Sequence, residues 1–568
     1  MWKSIKKNKE IAVFILFLII GLAIYANSFG NQFFWDDNDE IVNNVYVQHF
    51  SIGKMFSENM IAGVGQVTNY YRPVLLLSYA IDYFIWGMHP FGFNLLDVML
   101  HILNAWLVFI LLLFLLSLRK KFNTPRPAEA AVHPSQEGTW LAFLPALIFL
   151  VYPLNTEAVD YVSGRADVMY AFFLLLSLIF YFNFSQAQEK KKKIINYFAA
   201  AIFFILSLLT KETAVVLPFL VLLVELIFIS EKSGWEKLKN AARNTWPLFA
   251  ILIIYIILHF TVFNFAGING ALPGCQGAYC SYNIFQRILV FLLVALNYFK
   301  ILFLPLGLHM ERAVAEFGSI YSWKIFASLF IILAWATAAI KFWRKEKGIA
   351  FGFFWFFILL APTAGIAVKV LYPTYEHFLY LAMIGFWLAL FSLLSLRASR
   401  EAISGGTVEA RLLRSARNDK DFAKIIFYVM LSFCVVFWGI LTIRHNRIWN
   451  NPITFYENNL KYEPSSFIEH TNLGMAYADA GRNDDAIAQY EKAIAIADVY
   501  PQVHYDLANS LIAVKQYDRA EKEYLQTIKM DPQFGTAYQN LYNLYIYLGE
   551  QDRAEEILKE INKISNNK

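Results

Sequence analysis

Ile11-Ala12-Val13-Phe14-Ile15-Leu16-Phe17-Leu18-Ile19-Ile20-Gly21-Leu22-Ala23-Ile24-Tyr25, followed shortly by Phe33-Phe34-Trp35-Asp36-Asp37-Asn38-Asp39-Glu40-Ile41, is the stretch that decides what kind of chain this is. The apolar run continues to about Phe29, long enough to cross a bilayer, and it has no small-residue cleavage site, so it reads as an uncleaved first span rather than a signal peptide. Lys3, Lys6, Lys7 and Lys9 precede it. Lysines before a span stay in the cytoplasm, which places the aromatic and acidic stretch after it on the opposite face. Acidic loops of this kind are often merely solvated. An acidic pair held at the membrane surface also suits a reaction run on that outer face.

Composition agrees with the membrane reading. Of 568 residues 58% are hydrophobic and only 16% charged, and the mean hydropathy is +0.44, outside the range of a soluble globular chain. The formal charge of +5 is small and the basic residues lie between apolar runs, which fits membrane anchoring and argues against nucleic-acid binding. Three cysteines do not make a disulfide scaffold. Cys275 and Cys280 are close enough to bridge in an oxidising compartment, and Cys434 lies in an apolar span.

Apolar runs of spanning length are centred near residues 20, 105, 147, 176, 202, 221, 255, 332, 358, 386 and 434. Basic clusters at Arg119 to Lys121, Lys190 to Lys193, Lys232 to Arg243, Lys341 to Lys347 and Arg397 to Lys424 belong in the cytoplasm. Counting residues 74–86 or 284–304 as crossings would put a basic cluster on the wrong side, so both read as interfacial or re-entrant pieces. The expectation is an all-α bundle of about 11 spans, with the amino end inside and the carboxyl end outside.

From residue 445 the composition becomes that of a soluble domain. Leu473, Leu507 and Leu541 recur every 34 residues, as do Ala486, Ala520 and Ala554, and Tyr490 and Tyr524 keep the same interval. This is the tetratricopeptide period, with alanines where two helices approach closely. Residues 452–464 read as the second helix of an incomplete leading repeat. The division expected is 1–444 for the membrane domain and 445–568 for a short α-solenoid, which holds a protein or peptide in its concave face or serves as a spacer.

Ionisable groups at span ends carry the chemistry, because charge at the edge of a bilayer is costly and is kept for function. The outer-face set is Asp36 and Asp37; Arg72; His101 and Asn104; Glu157; Arg165 and Asp167; Lys211 and Glu212; Arg312; Glu376 and His377. The sequence has no glycine-rich phosphate loop, serine nucleophile elbow or HExxH motif. A set of carboxylates and cations suits transfer of a sugar from a lipid phosphate: one carboxylate takes the proton of the incoming hydroxyl and cations hold the departing phosphate. Asp36 or Asp37 would be the base. Arg72, Arg165 and Lys211 would hold the phosphate, and Glu157, Asp167 and Glu212 would touch substrate or pair with those cations. His101 and Asn104 share a helical face, and a membrane histidine is more often a packing residue than a catalyst.

Read together, Phe34-Trp35-Asp36-Asp37 with Ile41 and Asn44, Tyr71-Arg72-Pro73-Val74, Gly92-Phe93-Asn94, Leu100-His101-Ile102-Leu103-Asn104, Tyr152-Pro153 with Thr156-Glu157-Ala158-Val159, Gly164-Arg165-Ala166-Asp167, Lys211-Glu212, and Tyr375-Glu376 with Leu379-Tyr380-Leu381 resemble the transmembrane and tetratricopeptide-repeat protein O-mannosyltransferases. The resemblance runs nearly the whole chain, in order. It implies a GT-C type membrane glycosyltransferase that inverts a polyprenyl-phosphate sugar, commonly dolichyl-phosphate mannose, on the luminal or periplasmic face. The family's acidic pair falls on Asp36 and Asp37, and Glu376 belongs to a further family motif. His377 stands where relatives tend to carry arginine, and Asp97 where many carry asparagine. No cofactor is predicted. Paired carboxylates can hold Mg²⁺ or Mn²⁺, but no further ligand set accompanies this pair and no metal is assigned.

The partners expected are a lipid-linked sugar, membrane lipids and an acceptor protein held by the repeats. Two other classes fit less well. A surface-polysaccharide ligase or polymerase would not require an acidic pair directly after the first span. A non-enzymatic assembly factor would not need charged residues at so many span ends.

Overall fold

The computed structural model describes residues 2–122, 134–229, 234–265, 282–310, 312, 322–343, 346–366, 374–403 and 432–566. Cys275 and Cys280 lie outside them. Within the described residues the regular structure is entirely helical, and the chain divides into two compact units, Met1–Trp449 and Asn450–Lys568.

The first unit is a bundle of apolar helices. Pro90–Leu116, Val162–Gln186, Glu212–Ile229, Gly234–Thr261, Ile284–Phe303 and Trp323–Phe342 are each long and apolar enough to cross a membrane. Trp140–Val151 and Pro153–Asp160 are long and apolar enough only as a pair, bent by 52°, in the manner of a broken span or a re-entrant loop. Proline accounts for the break: Pro153 has no N–H to continue the ladder and starts a 3₁₀ turn instead. Shorter apolar helices, Glu10–Ile24, Pro73–Trp86, Lys347–Leu360 and Ala382–Leu394, join the bundle, as does Lys190–Leu208. The chain is an integral membrane protein. On Gly234–Thr261 the side chains of Ile253, Ile254, Ile257 and Phe260 are exposed, a surface suited to lipid rather than water.

Two segments test the reading of the loops. Pro73–Trp86 is a 14-residue helix, shorter than the roughly 20 residues a crossing needs. Residues 284–304, read from the charge pattern as interfacial or re-entrant, carry Ile284–Phe303, an unbroken 20-residue helix long and apolar enough to cross. Asn283 starts it with a capping box to Gln286, and that local satisfaction of backbone donors gives a clean helix where the net-charge pattern carries no such signal.

The second unit is three helical hairpins preceded by one helix, Pro452–Tyr462. The pairs are Phe467–Asp479 with Asn483–Ile496, Pro501–Ala513 with Tyr517–Met530, and Gly535–Leu548 with Gln551–Asn566. The residues spaced at 34 are the core: Leu473, Leu507, Leu541, Ala486, Ala520, Ala554, Tyr490 and Tyr524 are all buried. Gly474 lacks a side chain for a visible reason. A Cβ there would meet the Tyr490 ring at 2.6 Å.

Candidate active site

The loop after the first span folds back on itself at Phe34–Asp37. Trp35 adopts φ 55°, a left-handed conformation unusual for a bulky residue, and this turn points the two aspartates in different directions. Asp37 turns inward and is fully buried. One of its oxygens accepts from the Phe34 N–H at 3.2 Å, the other from the N–H and hydroxyl of Ser163 at 2.8 and 2.6 Å. Burial pushes its carboxyl up to about 7, against the pull of these three hydrogen bonds.

Asp36 turns outward. Its side chain is solvent-exposed, and its backbone N–H donates to the Tyr161 hydroxyl at 3.0 Å. The surrounding protein still desolvates its carboxyl enough to raise its pKa, with the Tyr161 hydroxyl opposing, Asp39 adding to the rise and Arg72 opposing it. Asp36 and the charges that act on it, Asp39 and Arg72, thus form one polar cluster at the surface, the candidate cleft. Glu40 shares the cleft: burial and the Asp36 charge raise it well above the ordinary carboxylate range, while Arg72 acts the other way.

Arg72 supplies the positive charge of this cleft. It stands at the start of Pro73–Trp86, where proline occupies the first helical turn. Its Nε and Nη2 donate to the two carboxylate oxygens of Glu212 at 3.0 and 2.6 Å, and the Tyr70 ring lies 4.6 Å from the guanidinium carbon. The fork to Glu212 uses one edge of the guanidinium. Nη1, on the other edge, has no hydrogen-bond partner among the described residues. Such an arrangement holds a planar cation firmly while leaving donors for an anion.

The other expected cations are engaged elsewhere. Lys211 Nζ lies 2.7 Å from both oxygens of Asp167, and both residues are buried. Arg165, expected to hold phosphate, is fully buried. Its Nε pairs with Asp97 and its Nη1 with Asp82, each at 2.6 Å, and Nη2 donates to the Phe93 carbonyl at 3.0 Å. Its guanidinium lies over the rings of Tyr79 and Phe93. With every nitrogen engaged and no exposed edge, it ties three helices together and offers no donor to a ligand.

The remaining expected residues form two separate groups. Glu157 accepts from His377 at its ring nitrogen (2.7 Å) and backbone N–H (3.0 Å), while Glu376 accepts from Arg312 at 2.5 Å and from the His309 N–H at 2.9 Å. His101 and Asn104 both meet the Tyr380 hydroxyl, at 2.8 and 3.1 Å, inside the bundle. His101 also lies 3.1 Å from the Leu150 carbonyl, as a packing histidine does. Among the described residues no group of three or more His, Cys, Asp or Glu is placed to hold a metal ion.

Sequence reading missed Tyr161, Ser163, Tyr70 and Glu40 as parts of the cleft. Glu40 lay in the acidic stretch itself. Tyr161 and Ser163 sit between the Glu157 and Arg165 motifs, where Gly164 permits a tight turn: a Cβ there would lie 2.6 Å from the Glu157 carbonyl oxygen.

The chain joins a polytopic helical membrane unit, in which carboxylates are set against a guanidinium, to a separate helical-repeat unit. The tetratricopeptide repeat family matches residues 477–545. The protein O-mannosyl-transferase F38B6.6 of Caenorhabditis elegans is 22% identical over 88% of this chain and 65% of its own length. Human protein O-mannosyl-transferase TMTC1 is 24% identical over 86% of this chain and 55% of its own. Mouse protein O-mannosyl-transferase TMTC4 is 31% identical over 28% of this chain and 22% of its own. The chain thus spans less than two thirds of each of these curated relatives. The chain is similar to curated protein O-mannosyl-transferases along most of its length.

Proposed function

We propose that the protein is a membrane glycosyltransferase that moves a sugar, mannose, from a polyprenyl-phosphate donor to a protein hydroxyl on the extracytoplasmic face. The observation that carries this reading is the open carboxylate of Asp36 in the same cleft as the half-engaged guanidinium of Arg72.

Asp36 takes the proton of the acceptor hydroxyl as its oxygen attacks the anomeric carbon, from the face opposite the phosphate, so that the configuration inverts. The bond to the phosphate oxygen breaks, and Arg72 meets the negative charge that builds there. A raised carboxyl suits the first task because a stronger base takes a hydroxyl proton more readily. Glu212 positions Arg72, and Asp37, held by Ser163, positions the turn that presents Asp36. Arg165 and Lys211 act through their ion pairs to hold the helices around the cleft.

The cytoplasmic amino end and the extracytoplasmic tail belong to the same proposal. In the second unit a groove of about 450 Å³ is lined by Asn509, Tyr517, Tyr524, Asn540, Asn543 and Tyr547. Asn509 Oδ1 accepts from Tyr524 at 2.6 Å and from Asn540 at 3.0 Å. These bonds orient the amides and leave the Asn509 nitrogen and the Asn540 oxygen for the backbone of an extended acceptor segment.

The test is to supply membranes containing the protein with labelled polyprenyl-phosphate mannose. Label should reach protein with the wild-type chain and fail to do so with Asp36→Asn. Equal labelling by both would overturn the assignment.

A further inference from the structure

Asn509 and Asn543 stand 34 residues apart, at the same position of consecutive hairpins, and both line the one groove of the second unit described above. The two acceptor positions of Asn509 Oδ1 are filled, by the Tyr524 hydroxyl at 2.6 Å and the Asn540 amide at 3.0 Å. Its nitrogen is left with both hydrogens to give. Asn543 repeats the arrangement: its Oδ1 accepts from Gln539 at 3.3 Å, and its nitrogen has no partner among the described residues. Tyr547, in the same groove and 71% exposed, receives the Tyr517 hydroxyl at 3.4 Å and keeps its own O–H. Against these donors the three amides offer one wholly open acceptor. It is the Asn540 oxygen, because the Asn540 nitrogen is taken up by Asn509 and by the Tyr505 hydroxyl at 3.0 Å.

The groove is therefore rich in donors and poor in acceptors, and none of the residues lining it is charged. Those facts sort the ligands. A free carboxylate would find no cation there. An ordinary extended strand brings one N–H with every carbonyl, and N–H groups set against Ile512, Leu544 and the tyrosine rings would lose water without gaining an acceptor. A proline-rich stretch brings carbonyls without N–H groups. Its polyproline II backbone has no internal hydrogen bonds, so every carbonyl is free to accept. Tyr517 and Tyr547, with ring centroids 5.5 Å apart and planes at 57°, supply aromatic surface of the kind on which such helices dock. Between residues 450 and 568 the unit carries eighteen aspartates and glutamates against eleven lysines and arginines, which disfavours an acidic stretch.

We propose that this groove binds a proline-rich segment of the acceptor protein, in the polyproline II conformation and without acidic residues. Asn509 and Asn543 donate to its carbonyls, and Tyr517 and Tyr547 pack against its proline rings. That the segment belongs to an acceptor rests on the proposed function; its capture by the groove does not.

The experiment uses the full-length protein in detergent and short fluorescent peptides, with binding followed by anisotropy. One peptide alternates threonine and proline, a second has alanine in place of every proline, and the first is also made with glutamates or with lysines at both ends. The proline peptide should bind about tenfold or more tightly than the alanine one, the scale of one hydrogen-bonding group left unsatisfied. Glutamate ends should weaken binding and lysine ends should not. Asn543→Asp, which exchanges a donor for an acceptor, and Tyr547→Ala should each weaken it by about tenfold. Both side chains are exposed, so thermal unfolding of the two variants should match the wild type. Asp36→Asn should bind the proline peptide as the wild type does, which separates failure of docking from failure of the proposed reaction. Equal affinity for the proline and alanine peptides, or unchanged affinity in both groove variants, would overturn the proposal.

Discussion

Ser163 donates both its backbone N–H and its hydroxyl to the same oxygen of Asp37, at 2.8 and 2.6 Å, across 126 positions of chain. This contact buries Asp37 while its neighbour stays open, and the proposed roles of the two differ accordingly. Asp36→Asn should reduce transfer by about 100-fold or more, the loss expected for a general base, with unfolding temperature unchanged. Asp37→Asn should lower the unfolding temperature, because it turns an amide donor or a poorer acceptor toward fixed donors, at a cost of about 1–3 kcal/mol. Matched kinetics and melting curves for the two variants check this. A well-folded Asp37→Asn as inactive as Asp36→Asn would reverse the roles.

The pH profile should report Asp36. Its base form is needed, and its pKa is raised by the surrounding protein, so activity should rise with pH through a value above the ordinary aspartate range. Arg72 opposes that rise. Arg72→Gln should therefore move the acid limb of the profile to higher pH as well as slow the reaction. A limb unmoved by the substitution would separate Arg72 from the base.

Arg72 and Glu212 offer a geometric test. Arg72→Lys keeps the charge but cannot make the fork to two carboxylate oxygens, so the donor KM should rise by about tenfold or more, the scale of one charge-assisted hydrogen bond. The exchange Arg72→Glu with Glu212→Arg should recover expression while leaving transfer absent, since the guanidinium would then start from the wrong wall. Measuring both yield and rate distinguishes pairing from phosphate binding.

Arg165 should behave as a structural residue. Removing it leaves Asp82 and Asp97 as buried charges without a counterion, a loss of about 3–5 kcal/mol for a broken buried pair. Arg165→Gln should therefore cut the amount of folded protein in membranes. Normal yield with only a raised donor KM would instead return it to the phosphate site.

In the tail, His504 lies between Glu523 and Asp498, at 2.6 and 2.8 Å. Burial alone would lower its pKa, but hydrogen bonds and charge from Glu523 and Asp498 outweigh it and raise the value above 6.5. A histidine that gains protons on folding stabilises fully below its unfolded pKa, and the contribution fades as pH rises through the folded one. Hydrogen exchange of Pro501–Ala513 should accordingly speed up, relative to the intrinsic rate, as pH climbs past this window. His504→Gln should flatten the trend.

Much of this was legible from residue order. The 34-residue spacing of Leu473, Leu507 and Leu541 specified the hairpins because each repeat buries the same positions. The acidic pair after the first span, and the pairing of cations with carboxylates, followed from the cost of charge near lipid. Which aspartate faces water was not legible, since it depends on Trp35 entering the left-handed region and on Ser163 reaching Asp37 from far along the chain. Nor was the fate of Arg165: Asp82 and Asp97 become its partners only when three helices pack, and no local spacing announces that.

Gly164 sets the tolerance of the whole arrangement. The Glu157 carbonyl oxygen stands 2.6 Å from where a methyl would be, and the Glu157 side chain holds His377 across 220 positions. A methyl at 164 would press on one strut and so transmit displacement both to the Ser163 clasp on Asp37 and to the loop around residue 377. One hydrogen atom in place of a side chain keeps distant halves of the first unit in mechanical register.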